Sequence, residues 1–148
     1  MEDLIDKEKE DLDLICNTVC DFFKLSGEQL FKKSRNRAIL VPRQYFHYLA
    51  KIITDLELRK IAIYSLKYDN GYDHATVLHS KKTVLKNISI YRKEKEVVEF
   101  LERRIKYLLD KNEIKTFKAD VIRSIESCET FEDLLFNFKR NVVQLNNI

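Results

Sequence analysis

Residues 58–82 read LRKIAIYSLKYDNGYDHATVLHSKK, and the architecture turns on how this stretch folds. Leu58, Ile61, Ala62 and Leu66 recur at helical spacing and predict a short amphipathic helix. The run Lys67-Tyr68-Asp69-Asn70-Gly71 is rich in turn formers and stops it. Asp73 then suits an N-cap, because its carboxylate accepts unpaired backbone amides while its charge meets the positive end of the helix that follows. Val77, Val84, Leu85 and Ile88 mark the inward face of that helix, expected over 73–88. The outcome is a two-helix corner whose second helix turns a polar first turn outward.

Towards the N-terminus, Leu12, Ile15, Cys16, Val19, Phe22 and Phe23 fall on one stripe and predict a helix over 9–24. Ser26 with Gln29 forms a capping box for a short helical turn that carries Leu30 and Phe31. A polar, basic loop from Lys32 to Arg37 comes next. Pro42 is expected in the first turn of a helix over 42–54, with Tyr45, Leu49, Ile52, Ile53 and Leu56 facing inward. On the far side, Val98, Leu101, Ile105 and Leu108 predict a helix over 92–111. Its heptad-like spacing lasts under three heptads, so packing on its own chain is expected, and pairing with a second copy or another protein through 91–148 stays open. Two further helices, Lys118 to Glu126 and a second over 131–145 with Phe131, Leu134, Leu135, Phe138 and Val142 as its stripe, carry no functional signature. The expected organisation is a domain over 1–90 and a small helical appendage over 91–148.

The chain has 148 residues with only Gly27, Gly71 and Pro42 to break elements, and Leu, Ile, Lys and Glu abound. An all-α fold follows from those propensities. With 45% hydrophobic and 34% charged residues there is enough apolar material for a core. No stretch approaches the roughly 20 apolar residues that cross a bilayer, and the acidic opening MEDLIDKEKEDLD is the opposite of a secretion signal. A cytoplasmic protein without a membrane segment is expected. Cys16, Cys20 and Cys128 cannot all pair, and small apolar thiols suit a helical core in a reducing compartment. His74 with Cys16 and Cys20 lacks the second ligand pair of a zinc site, and His79, five positions after His74, lies on a different helix face. No Gly-rich phosphate loop and no Ser-His-Asp or paired-carboxylate arrangement is present. Neither catalysis nor a cofactor is expected.

Charge is unevenly distributed. Residues 1–23 hold eight acids and two bases, whereas 24–60 hold nine bases and three acids, a balance of +6. The segment Lys32 to Arg43 has five bases and no acid. Nucleic-acid sites are local fields of this kind rather than averages over a molecule.

A short helix, a Gly-containing turn and a capped helix with polar opening residues is the layout of a helix-turn-helix. Two segments make the motif more specific: Lys33-Ser34-Arg35-Asn36-Arg37 leading into Pro42-Arg43-Gln44, and Asp73-His74-Ala75-Thr76-Val77-Leu78-His79-Ser80. Together they resemble the C-terminal DNA-binding domain of the bacterial replication initiator family DnaA, over about residues 10–90. The second segment agrees with the family's Asp-His-Thr-Thr-Val-Leu-His-Ala at six of eight positions. The resemblance implies a helix-turn-helix bundle that binds double-stranded DNA. Asp73, His74, Ala75 and Thr76 would read base edges in the major groove, Arg35 would enter the minor groove, and Lys33 and Arg37 would hold phosphate. Arg43, Lys51, Lys81 and Lys82 are candidates for DNA-backbone contacts: Lys51 follows the family pattern in the helix after the proline, and Lys81 and Lys82 are added on charge and helical position. Two departures stand out. Asn70-Gly71-Tyr72 replaces the family's Gly-Gly-Arg, so that Tyr72 would stack on or bond to the DNA backbone, and Ala75 replaces a Thr. A different preferred DNA sequence is expected. The rival expectation is a protein-interaction module that keeps the fold and has lost DNA; the concentrated charge of Arg35, Arg37 and Arg43 argues against it.

Overall fold

The computed structural model describes residues 4–133 together with 135, 136, 139 and 140, and among these every regular element is helical. In chain order they are α1 (Asp6–Phe23), α2 (Gly27–Leu30), α3 (Arg37–Thr54), α4 (Leu58–Tyr64) with a 3-10 turn (Ser65–Tyr68), α5 (His74–Ile90) and α6 (Arg92–Glu126). The chain divides into two compact units, Met1–Lys106 and Tyr107–Ile148.

In the first unit α3 is the central helix: Pro42 through Ala50 are all buried, where sequence periodicity predicts a single inward stripe. It also begins earlier than expected. Asn36 caps it, its side-chain oxygen accepting from the Ala38 amide at 3.1 Å, and the Ser34 hydroxyl accepts from the Asn36 amide at 3.1 Å. Arg37 is therefore the first helical residue, and Pro42 lies inside the helix rather than in its opening turn. The proline forgoes a bond to the Ala38 carbonyl; the Asn36 cap and burial of the ring offset that loss.

Around α3, α1 contributes Leu12, Ile15, Cys16 and Val19, all fully buried. The expected capping box of α2 is present, with Gln29 N donating to Ser26 Oγ at 3.2 Å and Ser26 N donating to Gln29 Oε1 at 2.9 Å. This short helix delivers Phe31 into an aromatic cluster, edge-on to Phe46 at 5.0 Å and stacked on Tyr68 at 5.5 Å. Tyr64 closes the cluster against Phe46, and its hydroxyl donates to Asp13 of α1. Cys16 and Cys20 are buried thiols 3.9 Å apart, and the half-buried Cys128 thiol donates to the Ser124 carbonyl at 2.9 Å.

Helix α5 packs across α3 and α4 through Val77, Ser80 and Val84. Leu85, expected inward, is 45% exposed; the buried stripe is carried by Ser80 instead, because that hydroxyl has a partner on α3. The first turns of α6 bury Val98, Leu101 and Ile105, and Phe100 sets its ring 5.8 Å from Phe22.

The separate helices expected over 92–111 and 118–126 are one continuous α6. Residues 112–117 contain neither Gly nor Pro, and the Thr116 hydroxyl bonds back to the Asn112 carbonyl at 3.0 Å, so nothing breaks the ladder. In the second unit α6 ends at Glu126, where the Ser127 and Cys128 amides bond back to Arg123 and Ile125. Leu134, Phe138 and Val142 of the expected last helix lie outside the described residues.

Candidate nucleic-acid interface

The exposed opening of α5 is built by Asp73. Its Oδ1 accepts from the Thr76 amide and from the Thr76 hydroxyl, both at 2.8 Å. Those two bonds, the amide first, hold the carboxyl below the usual carboxylate range, so Asp73 stays charged. Asp73, His74 and Ala75 are exposed, Thr76 is half-buried, and the chain goes inside only at Val77. The first turn of α5 is thus anchored from below and open above. Farther along, Lys82 is exposed and Lys81 half-buried.

The basic loop runs from Lys32 to Asn36 and presents Lys33 and Arg35 to solvent, with Arg37 exposed at the start of α3. Arg43 differs from these. Only 7% exposed, it points its guanidinium up from α3 into the loop, donating to the Lys32 carbonyl at 2.6 Å and to the Ser34 carbonyl at 3.4 Å. Tyr72, next to Asp73, reaches the same loop from the other side: its hydroxyl donates to the Phe31 carbonyl at 2.6 Å. The Arg43 guanidinium lies 5.0 Å from the centre of the Tyr72 ring and the Lys33 ammonium 5.8 Å. Burial pushes the Tyr72 hydroxyl up from its ordinary value, so it keeps its proton and remains a donor. The loop and the first turn of α5 are therefore neighbours joined through Arg43 and Tyr72.

Lys51 stands apart. Its ammonium donates to the Leu56 carbonyl at 3.0 Å and pairs with Asp55 at 3.2 Å, closing the α3–α4 corner. Arg43 and Lys51 were both expected at DNA phosphates, and each has partners within the chain.

Sequence reasoning overlooked His47 and Ser80. The His47 Nδ1 and the Ser80 hydroxyl meet at 3.0 Å between α3 and α5, both residues buried. Burial, with the nearby Arg43 charge, pulls the His47 pKa down to about 3, so the ring is neutral and the pair needs no counterion. This bond fixes α5 against α3 one turn behind its open end. Periodicity, which predicts a single inward stripe for α3, gave no signal for it; only the all-round burial of the helix shows that this polar ring must find a partner.

A short helix, a turn and a capped second helix with an open first turn is the geometry by which a helix enters the major groove. The family model of the bacterial DnaA protein helix-turn-helix matches residues 12–84. Residues 12–84 are a DnaA-type helix-turn-helix domain. Among its relatives, the chromosomal replication initiator protein DnaA of Chlorobaculum tepidum is 34% identical over 97 residues, covering 66% of this chain and 19% of that protein. The DnaA of Bacteroides fragilis is 38% identical over 96 residues, 63% of this chain and 19% of the relative. That of Caldanaerobacter subterraneus is 33% identical over 93 residues, 63% and 20%. The chain thus spans about a fifth of the length of the curated relatives it matches. In this DnaA-type domain α4 and α5 are the two helices of the motif. Among the described residues no group of three or more His, Cys, Asp or Glu side chains is placed to hold a metal, and no helix is long and apolar enough to cross a membrane.

Proposed function

We propose that this domain reads a specific double-stranded DNA sequence, with the first turn of α5 in the major groove and the Lys32–Asn36 loop at the adjoining minor groove. The observation that carries the reading is the open turn at Asp73, His74 and Ala75 beside a loop whose Lys33 and Arg35 are exposed and uncompensated by any acid between residues 32 and 43. Asp73, still charged, offers its second oxygen to a cytosine amino group, His74 bonds a base edge, and the Ala75 methyl suits a thymine methyl. Arg35 enters the minor groove, and Lys33, Arg37 and Lys82 hold phosphates, with Lys81 at the margin. Arg43 and Lys51 serve as supports. The domain acts by occupying DNA in the bacterial cytoplasm, without catalysis, as an accessory to replication or as a regulator; the relatives' role in initiating chromosome replication favours the first.

Fluorescence anisotropy on random duplex and on a selected pool, across salt, tests this. The wild type should show a negative log–log salt slope of several phosphates. Arg35→Ala should weaken binding to every duplex, and His74→Ala should cost about 1–3 kcal/mol chiefly on the preferred sequence. If both variants bind all sequences as the wild type does, base reading is wrong. If the wild type ignores duplex altogether, the protein-interaction alternative takes its place.

A further inference from the structure

Tyr72 touches both halves of the interface. On one side it is the residue before the Asp73 cap; on the other its hydroxyl holds the carbonyl of Phe31, the last residue before the basic loop. Its ring rests edge-on against His47 at 5.9 Å, beneath the Arg43 and Lys33 cations. Arg43 takes the next carbonyls, those of Lys32 and Ser34. Two side chains in mutual contact therefore hold three carbonyls of a segment that has no helix or strand of its own. A free segment of that kind samples many conformations, and fixing each residue costs roughly 1–2 kcal/mol that DNA binding would otherwise have to supply. A charged guanidinium over a tyrosine face, partly shielded from water, adds an attraction that lysine or arginine at position 72 would turn into repulsion.

We propose that Tyr72 and Arg43 form a latch, positioning residues that hold the basic loop in its DNA-binding shape and in register with the first turn of α5, so that Arg35 is ordered before DNA arrives. The latch rests on the DNA-reading function proposed above, and it gives Tyr72 a task inside the protein in place of the DNA-backbone contact expected from sequence. Affinity gained this way comes from preorganisation rather than from new contacts.

Two measurements on the full chain test it. In the free protein, backbone order parameters for residues 33–36 should lie near about 0.85 in the wild type and drop towards about 0.6 in Tyr72→Ala, with α1 unchanged. Tyr72→Phe keeps the ring beside its two cations and loses only the hydroxyl. It should fold normally, loosen the loop partially, and weaken duplex binding by about five-fold. On DNA, Arg35→Ala should weaken binding by about tenfold in the wild-type background and by only about two-fold in Tyr72→Ala, because an unlatched arginine contributes little. An equal loss in both backgrounds overturns the latch, and so does a loop that stays rigid in Tyr72→Ala. A wild type that ignores duplex defeats the DNA reading alone, and the order parameters still decide whether the two side chains hold the loop.

Discussion

At the residue scale, His47 ties the acid stability of the domain to the placement of α5. Buried and neutral, with its pKa pulled down to about 3, it differs from the same side chain in the unfolded chain, which titrates near about 6.5. Below that pH the unfolded state binds a proton that the folded state refuses. Stability is therefore full above about 6.5 and is lost as pH falls towards 3, by about 1.4 kcal/mol per unit. Urea unfolding should show a loss of about 2 kcal/mol between pH 7 and pH 5, a window above the range of Asp73 and Glu8, whose pKa values are lowered. His47→Gln can still bond to Ser80 and cannot titrate, so its stability should change much less over the same interval, whatever its absolute value. An unaltered pH slope in that variant would refute the assignment. His47 was invisible to a reading that searched for exposed charge, because its importance comes from the hydroxyl opposite it on α5, thirty-three residues away.

At the scale of elements, the corner of α4 and α5 was legible from spacing, turn formers and a cap, all of them local signals. The capping box of α2 was equally plain. What sequence could not supply was the competition between caps at the start of α3, where Asn36 and Ser34 begin the helix five residues before its proline. Nor could it reveal that Arg43 turns inward, since a cation gives the same pattern whether it meets phosphate or a loop carbonyl. The small residue of α2 was also underrated. A Cβ on Gly27 would run into the Tyr68 ring, which stacks on Phe31 immediately before the basic loop. Gly27→Ala should therefore destabilise the domain by about 1–3 kcal/mol in chemical denaturation, although alanine is the better helix former, because the 3-10 turn has to shift. A stability equal to or above that of the wild type would show that the ring swings aside freely.

For the molecule as a whole, the question is where the helix-turn-helix unit ends. The family match stops at residue 84, and an end near residue 90 suits the sequence pattern, yet the compact unit runs to Lys106. The difference is the opening of α6, where Val98 is 2% exposed and Leu101 and Ile105 are fully buried. Burying each such side chain is worth roughly 1.5–3 kcal/mol, so the three together rival the net stability of a small domain, about 5–15 kcal/mol. The edge-on and tilted contacts of Phe22 with Phe23 and Phe100 add to the same seam. A fragment ending at Lys106 should consequently unfold at a distinctly higher urea concentration than one ending at Ile90, and the shorter fragment should expose apolar surface that binds a hydrophobic dye. Replacing Leu101 with Ala in the longer fragment should recover part of that difference, about 2–5 kcal/mol. Equal midpoints for the two fragments would mean that α6 adds nothing to the helix-turn-helix unit, and that the three buried side chains are covered without stabilising it.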